Sequence, residues 1–227
     1  MKISGLQKLS LVDFDGHMAA TIFVSGCNFA CPFCHNSRLV NGQEEIIPRS
    51  EVIEYLEKRK NMLDAVCISG GEPTLYRDLP DLVREIKNMG YLIKLDTNGT
   101  NPTMIKELYQ ANLIDYIAMD IKNSYEKYPL TAGKCVDLDN IKESIKYIMS
   151  CGIDYEFRTT LIRELHNFED IKDIAKIIKS AHKYFLQKFE DSGECIESGL
   201  NPIPKNEVLE YQKYLEKYIK NVSLRGY

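Results

Sequence analysis

Ala20-Thr21-Ile22-Phe23-Val24-Ser25-Gly26-Cys27-Asn28-Phe29-Ala30-Cys31-Pro32-Phe33-Cys34-His35-Asn36 holds an apolar run followed at once by three closely spaced cysteines. The run Ala20–Ser25 reads as a short strand buried on both faces. The loop after it carries Cys27, Cys31 and Cys34 in the pattern Cys-x3-Cys-x2-Cys. Iron–sulfur clusters are held by thiolates, and a cubane of four irons normally takes four of them. Three thiolates on one loop leave one iron without a protein ligand. Two other readings stand beside this one. Cys31-Pro32-Phe33-Cys34 taken alone is a dithiol redox motif, which leaves Cys27 unexplained. A zinc site needs a fourth ligand; His35 is badly placed for it, and no second Cys-x2-Cys exists.

The strand-then-loop pattern repeats along the chain. Further strands are expected at Ala65–Ser69, Leu92–Asp96, Tyr116–Ile121, Tyr155–Leu161 and Tyr184–Phe189. Amphipathic helical stretches lie between them at Glu51–Lys60, Leu79–Met89, Asn140–Met149, Ile171–Ile178 and Glu207–Ile219. Pro102 after Asn101 suits the first turn of another helix behind an Asn cap. The fold expected is α/β: an incomplete (βα)6 TIM-like barrel. An eight-unit barrel uses about 250 residues, so six units need about 190 of the 227 here. We expect a single domain, 1–227. Residues 1–19 form an N-terminal extension able to make a small hairpin. Residues 20–189 hold the six units, and 190–227 a loop, a helix and a tail. Leu224-Arg225-Gly226-Tyr227 has no place in that pattern.

Composition bounds the function. The net charge of −4 argues against a phosphate-binding surface, so no nucleic-acid partner is expected. No apolar run reaches membrane-spanning length, and Met1-Lys2-Ile3-Ser4-Gly5 opens no cleavable leader, so a cytoplasmic protein is expected. Seven cysteines are an odd number, and four of them are scattered singly. That is not a secreted disulfide framework.

Barrel enzymes place their chemistry at the C-terminal ends of the strands. The residues expected there are unusual ones. Gly70-Gly71-Glu72-Pro73 follows the second strand and reads as a tight turn or as a backbone cradle for a ligand. Asp96-Thr97-Asn98-Gly99 closes the third, as a turn or as polar groups aimed at a ligand. Asp120-Ile121-Lys122 closes the fourth, with both charged side chains on one face. Its ordinary reading is a surface ion pair. Arg158 sits inside a strand and needs either a core carboxylate or a ligand. Gln187 lies in the sixth strand. Cys67 reads as a small buried hydrophobe, and His17, His166 and His182 carry no metal spacing.

The cysteine loop followed by Gly70-Gly71-Glu72-Pro73 is the signature of the radical S-adenosylmethionine (radical SAM) enzymes. Over nearly the whole chain the sequence resembles the activating proteins of anaerobic ribonucleoside-triphosphate reductase. It is less close to the pyruvate formate-lyase activating enzymes. The marks are Gly5-Leu6-Gln7-Lys8, Gly26-Cys27-Asn28-Phe29, Cys31-Pro32-Phe33-Cys34-His35-Asn36, Leu95-Asp96-Thr97-Asn98-Gly99, Ala118-Met119-Asp120-Ile121-Lys122 and Glu156-Phe157-Arg158-Thr159-Thr160. The family's frequent proline before Gly16 is Asp15 here. The formate-lyase activases' histidine in the last strand is Gln187, which favours the reductase-like branch.

The resemblance implies a [4Fe–4S] cluster on Cys27, Cys31 and Cys34, and S-adenosylmethionine on the open iron. It implies cofactor contacts from Phe33, Gly70, Gly71, Glu72, Pro73, Asp96, Asn98, Asp120, Lys122, Arg158 and Gln187. It further implies one-electron cleavage of the cofactor and a glycyl radical left on a partner enzyme. The electron donor implied is a flavodoxin or ferredoxin. A small-molecule radical SAM enzyme, of the carboxy-deazaguanine synthase kind, is the alternative within the superfamily. A non-catalytic redox or metal-binding module is the alternative outside it.

Overall fold

Eight strands form one sheet in sequence order in the computed structural model, which describes residues 1–40, 44–191 and 193–227. The strands are β1 Ile3–Ser10, β2 Ala19–Val24, β3 Ala65–Gly70, β4 Leu92–Thr97, β5 Tyr116–Asp120, β6 Asp154–Leu161, β7 Tyr184–Lys188 and β8 Val222–Arg225. The helices are α1 Ser37–Val40, α2 Arg49–Lys58, α3 Leu79–Asn88, α4 Pro102–Gln110, α5 Tyr128–Ala132, α6 Leu138–Ser150, α7 Phe168–Ile177 and α8 Lys205–Leu215. β1 runs antiparallel to β2: residues 1–19, expected to make a small hairpin of their own, supply one strand that pairs with the first expected strand instead. Every later pairing is parallel, from β2·β3 to β7·β8. Among the described residues β8 does not pair with β1, so the barrel stays open on one side.

The six expected strands are β2 to β7, each within about a residue of its predicted bounds. One strand and the short helices α1 and α5 were not foreseen. The tail pairs with β7, Gln187 opposite Arg225, and α8 becomes the crossover to a seventh parallel strand. Val222-Ser223-Leu224-Arg225, of which only Val222 is buried, carries no apolar run from which to read a strand.

Each strand alternates between two environments. Ile22, Ile68, Leu95, Ile117, Phe157 and Leu186 are buried in one apolar cluster with Leu56, Leu82, Ile105, Ile145, Ile174 and Val208 of the helices. Burying such side chains contributes about 1.5–3 kcal/mol each. Several of the alternate positions are polar. Lys94 and Asp96 of β4 meet Glu156 and Arg158 of β6 inside the barrel. Apolar runs thus built the sheet, while the polar residues interrupting them built its interior. Helix starts are locally specified too. Asn101 accepts from Met104 N at 3.1 Å, with Pro102 in the first turn. Asn167 and Asp170 form a reciprocal capping box.

Candidate functional site

A cleft of about 800 Å³, mouth included, opens at the C-terminal ends of the strands. Cys27, Cys31, Cys34 and Phe33 line it from the first loop, and Ser69, Gly70 and Gly71 from the second. Asp96, Thr97 and Asn98 follow from the third, Asp120 and Lys122 from the fourth, Arg158 and Thr160 from the fifth. His35, Asn36 and Phe29 also face it. Glu72 and Pro73 lie behind the wall rather than on it, and Gln187 lines an adjoining cavity with Lys188 and Arg225.

The cysteine loop is fastened at its start and midway along it. Gly26 N donates to Leu39 O at 2.7 Å, and Ala30 N to Ala132 O at 2.8 Å. The Gly70-Gly71 turn packs against it backbone to backbone. Gly71 N donates to Val24 O at 2.8 Å, and Glu72 N to Gly26 O at 2.9 Å. A Cβ on Gly71 would sit 1.9 Å from Gly26 O, so only glycine fits. Gly70 has a φ of +109°, and its Cβ would meet Val24 N at 2.4 Å.

Glu72 braces this turn. It is fully buried and accepts four hydrogen bonds, from Thr74 N and Oγ1, Thr97 Oγ1 at 2.8 Å and Asn98 N at 2.6 Å. Burial pushes its carboxyl above the ordinary range despite those donors. The side chain is thus spent on bracing the loops.

The charged residues form one chain across the floor. Arg158 donates to Asp120 Oδ1 at 2.9 Å and to Asp96 Oδ2 at 3.2 Å. Lys122 donates to Asp120 Oδ2 at 2.8 Å and stands over the Phe33 ring. Burial alone would raise the Asp120 carboxyl, but Lys122 and Arg158 outweigh it and hold it at about 2. Burial would lower Lys122; the charge of Asp120, then of Cys31, raises it above the ordinary lysine range instead. The Asp120–Lys122 pair is therefore charged and sits within the cleft, not on an outer surface.

Deeper in the barrel lies Lys94, 2% exposed. Its Nζ is 3.8 Å from Asp96 Oδ1 and 3.7 Å from Glu156 Oε1, and it donates to Asp13 O. Asp13 and Phe14, from the loop between β1 and β2, thus reach the barrel floor. Glu156 also accepts from Tyr116 at 3.0 Å and from Arg225 at 3.2 Å.

The donor set suits an iron–sulfur cluster. Three of the seven cysteines, Cys27, Cys31 and Cys34, line the cleft as free thiols. Burial pushes the Cys27 thiol up to about 11, partly offset by the Phe29 N–H, and pushes Cys31 up as well. Metal binding deprotonates such thiols and releases the protons. Among the described residues no three His, Cys, Asp or Glu side chains converge as ligands of one ion. Thiolates of a cubane bind separate irons, so spread donors fit a cluster rather than a tetrahedral zinc. Asp96 Oδ1 is buried with no hydrogen-bond partner among the described residues, and Lys94 Nζ stands 3.8 Å from it.

Sequence reasoning did not single out Ser69, Lys94, Thr100 or Thr160, nor Asn28 for a role of its own. Lys94 carried a signal: a lysine inside an apolar strand must find a buried partner. Asn28, which donates to Thr100 Oγ1 at 2.8 Å, carried none beyond its place in the cysteine loop.

A parallel barrel with three thiols and a glycine turn on one rim defines a class. The chain belongs to the Radical SAM superfamily, whose family model matches residues 21–181. It is accordingly an enzyme using a [4Fe–4S] cluster and S-adenosylmethionine.

Within that superfamily it is 38% identical, over 98% of its length and 95% of the other, to a Methanocaldococcus jannaschii protein named as a candidate glycyl-radical enzyme activating enzyme. A second protein of that organism with the same kind of name is 31% identical over 70% of this chain and 62% of its own. Among solved structures, Streptococcus suis SuiB bound to S-adenosylmethionine shares the fold, with a TM-score of 0.70 and 17% identity over 89% of this chain. The chain spans about half of SuiB, 49%. A domain of pyruvate-formate lyase-activating enzyme from Bacteroides vulgatus matches with a TM-score of 0.60 and 17% identity, over 72% of this chain and 99% of its own. No helix among the described residues is long and apolar enough to cross a membrane.

Proposed function

We propose that this chain is a glycyl-radical enzyme activating enzyme, with an anaerobic ribonucleoside-triphosphate reductase as the partner its sequence favours. The observation that carries the reading is the near full-length identity to the Methanocaldococcus jannaschii protein of that named class. The open side of the barrel supports it, because a glycine in a partner's loop needs a lateral way into the cleft.

The residues divide the work. Cys27, Cys31 and Cys34 hold the cluster. Lys122 and Arg158 offer positive charge to the methionine carboxylate of the cofactor, Lys122 as a point charge and Arg158 as a fork. The backbone of Gly70 and Gly71 approaches the methionine ammonium, and the Asp96 carboxylate, which lines the cleft, accepts from a ribose hydroxyl. Phe33 packs under Lys122, Asp120 keeps Lys122 and Arg158 in register, and Gln187 stands at the neighbouring wall. Glu72 and Pro73 serve the site from behind. When bound, the cluster and cofactor supply a one-electron reductive cleavage that ends in hydrogen abstraction from a glycine Cα. The fold excludes water and oxygen around that chemistry. A flavodoxin or ferredoxin supplies the electron, in the cytoplasm.

The test is anaerobic co-expression with an anaerobic ribonucleoside-triphosphate reductase from the same organism, followed by electron paramagnetic resonance. A glycyl-radical signal that needs Cys27, Cys31 and Cys34 is expected. Cofactor cleavage with no radical on any glycyl-radical partner would instead mark a small-molecule enzyme.

A further inference from the structure

Asn98 is almost fully buried at the rim, and every valence of its side-chain amide is engaged. Its Oδ1 accepts from Thr100 N at 3.0 Å and Thr100 Oγ1 at 2.7 Å. Its Nδ2 donates to Asn28 Oδ1 at 2.8 Å and approaches Cys27 Sγ at 3.9 Å. Asn28 Nδ2 closes the ring by donating to Thr100 Oγ1 at 2.8 Å. The ring settles which way the amide faces. Thr100 N is a main-chain donor and cannot reverse, so the atom opposite it is Oδ1 and the atom beside Cys27 is Nδ2. The backbone is held as well, by Asn98 N on the buried Glu72. One N–H of Asn98 is left over from the ring, and it points to the sulfur of the first cysteine.

Hydrogen bonds to cluster sulfurs withdraw charge from them and raise the reduction potential. Cys27 also receives Phe29 N at 3.4 Å, so two donors converge on this one sulfur.

We propose that Asn98 is a positioning residue that donates to the Cys27 thiolate and sets the reduction potential of the cluster, with Asn28 and Thr100 clamping it in that role. The inference rests on the radical SAM assignment of the three cysteines. It leaves Asn98 no spare side-chain donor or acceptor for the cofactor's ribose, which falls to Asp96.

The experiment is a redox titration of the reconstituted chain without S-adenosylmethionine, followed by electron paramagnetic resonance. Asn98→Leu keeps the volume and removes the donor. At the wild-type midpoint its ratio of reduced to oxidised cluster should fall about tenfold, a ~59 mV shift for one electron. Asn98→Asp, which places an acceptor there, should fall further. Thr100→Val, remote from the sulfur, should shift in the same direction by less. A wild-type midpoint in Asn98→Leu with full iron content overturns the proposal. If Asn98→Leu holds no cluster, Thr100→Val decides, and an unchanged midpoint there overturns it. A wild-type chain that assembles no cluster at all overturns both this inference and the reading it rests on.

Discussion

Gly71→Ala isolates the contact between the two loops that build the cleft. The new Cβ would lie 1.9 Å from Gly26 O, 2.6 Å from Gly26 C and 3.3 Å from Cys27 N, all backbone atoms. Ordinary contact begins near 3.4 Å, so one loop must retreat by about 1.5 Å (3.4 less 1.9). No side-chain rotation relieves this. Overpacking of that kind costs about 1–3 kcal/mol. The retreat also stretches the Glu72 N to Gly26 O bond of 2.9 Å, worth about 1 kcal/mol. The expected loss is about 2–4 kcal/mol, concentrated beside Cys27.

Two assays read it: iron and sulfide content after anaerobic reconstitution, and urea unfolding of the cluster-free chain. Content should fall well below wild type, and the unfolding midpoint should drop. Gly5→Ala is the control, since its Cβ meets only the Phe23 side chain, at 3.2 Å. It should leave cluster content intact. Wild-type content and midpoint in Gly71→Ala would refute the argument that backbone proximity, rather than turn conformation, demands glycine there.

Three further outcomes follow from the same geometry. Glu72→Ala strips the partners from the buried Thr74 and Asn98 N–H groups and should cost at least about 3 kcal/mol in urea unfolding; a smaller loss would mean that water replaces the carboxylate. Lys94→Met removes the cation shared by Glu156 and Asp96, which keep Arg225 and Arg158, and should destabilise by about 1.5–3 kcal/mol, while Lys183→Met, whose amine touches only the edge of that network at Tyr116, should cost far less. Asp120 has a carboxyl held at about 2, below its ordinary 3.8, so its contribution is present above pH 4 and is lost as pH falls through 2. The magnitude is about 2 kcal/mol; the cluster-free Asp120→Asn chain should therefore lose less stability between pH 5 and 2 than wild type, and equal losses would remove Asp120 as the source.

The sheet was legible because its strands announce themselves as short apolar runs, and β2 to β7 fall where those runs lie. The seventh parallel strand was not, since Val222–Arg225 owes its conformation to pairing with β7 rather than to its own residues. At the site, the cysteines and Gly70-Gly71 could be read because few other uses explain such residues at such spacing. Arg158 showed that it needed partners, but only the register of β4, β5 and β6 supplies both Asp96 and Asp120. The Asn28–Asn98–Thr100 ring lay beyond sequence reading. Asn-Gly has an ordinary meaning as a turn, and nothing in a linear chain brings residues 28 and 98 together.

The central claim is that three thiols and a polar bed form one cofactor site. It is tested most directly by incubating the reduced, reconstituted chain with S-adenosylmethionine under strict anaerobiosis and quantifying methionine and 5′-deoxyadenosine. The account predicts both products in equal amounts from the wild type and none from Cys27→Ala, Cys31→Ala or Cys34→Ala. Cleavage that survives loss of any one of these cysteines, or a wild-type chain that holds its cluster and cleaves nothing, would contradict it.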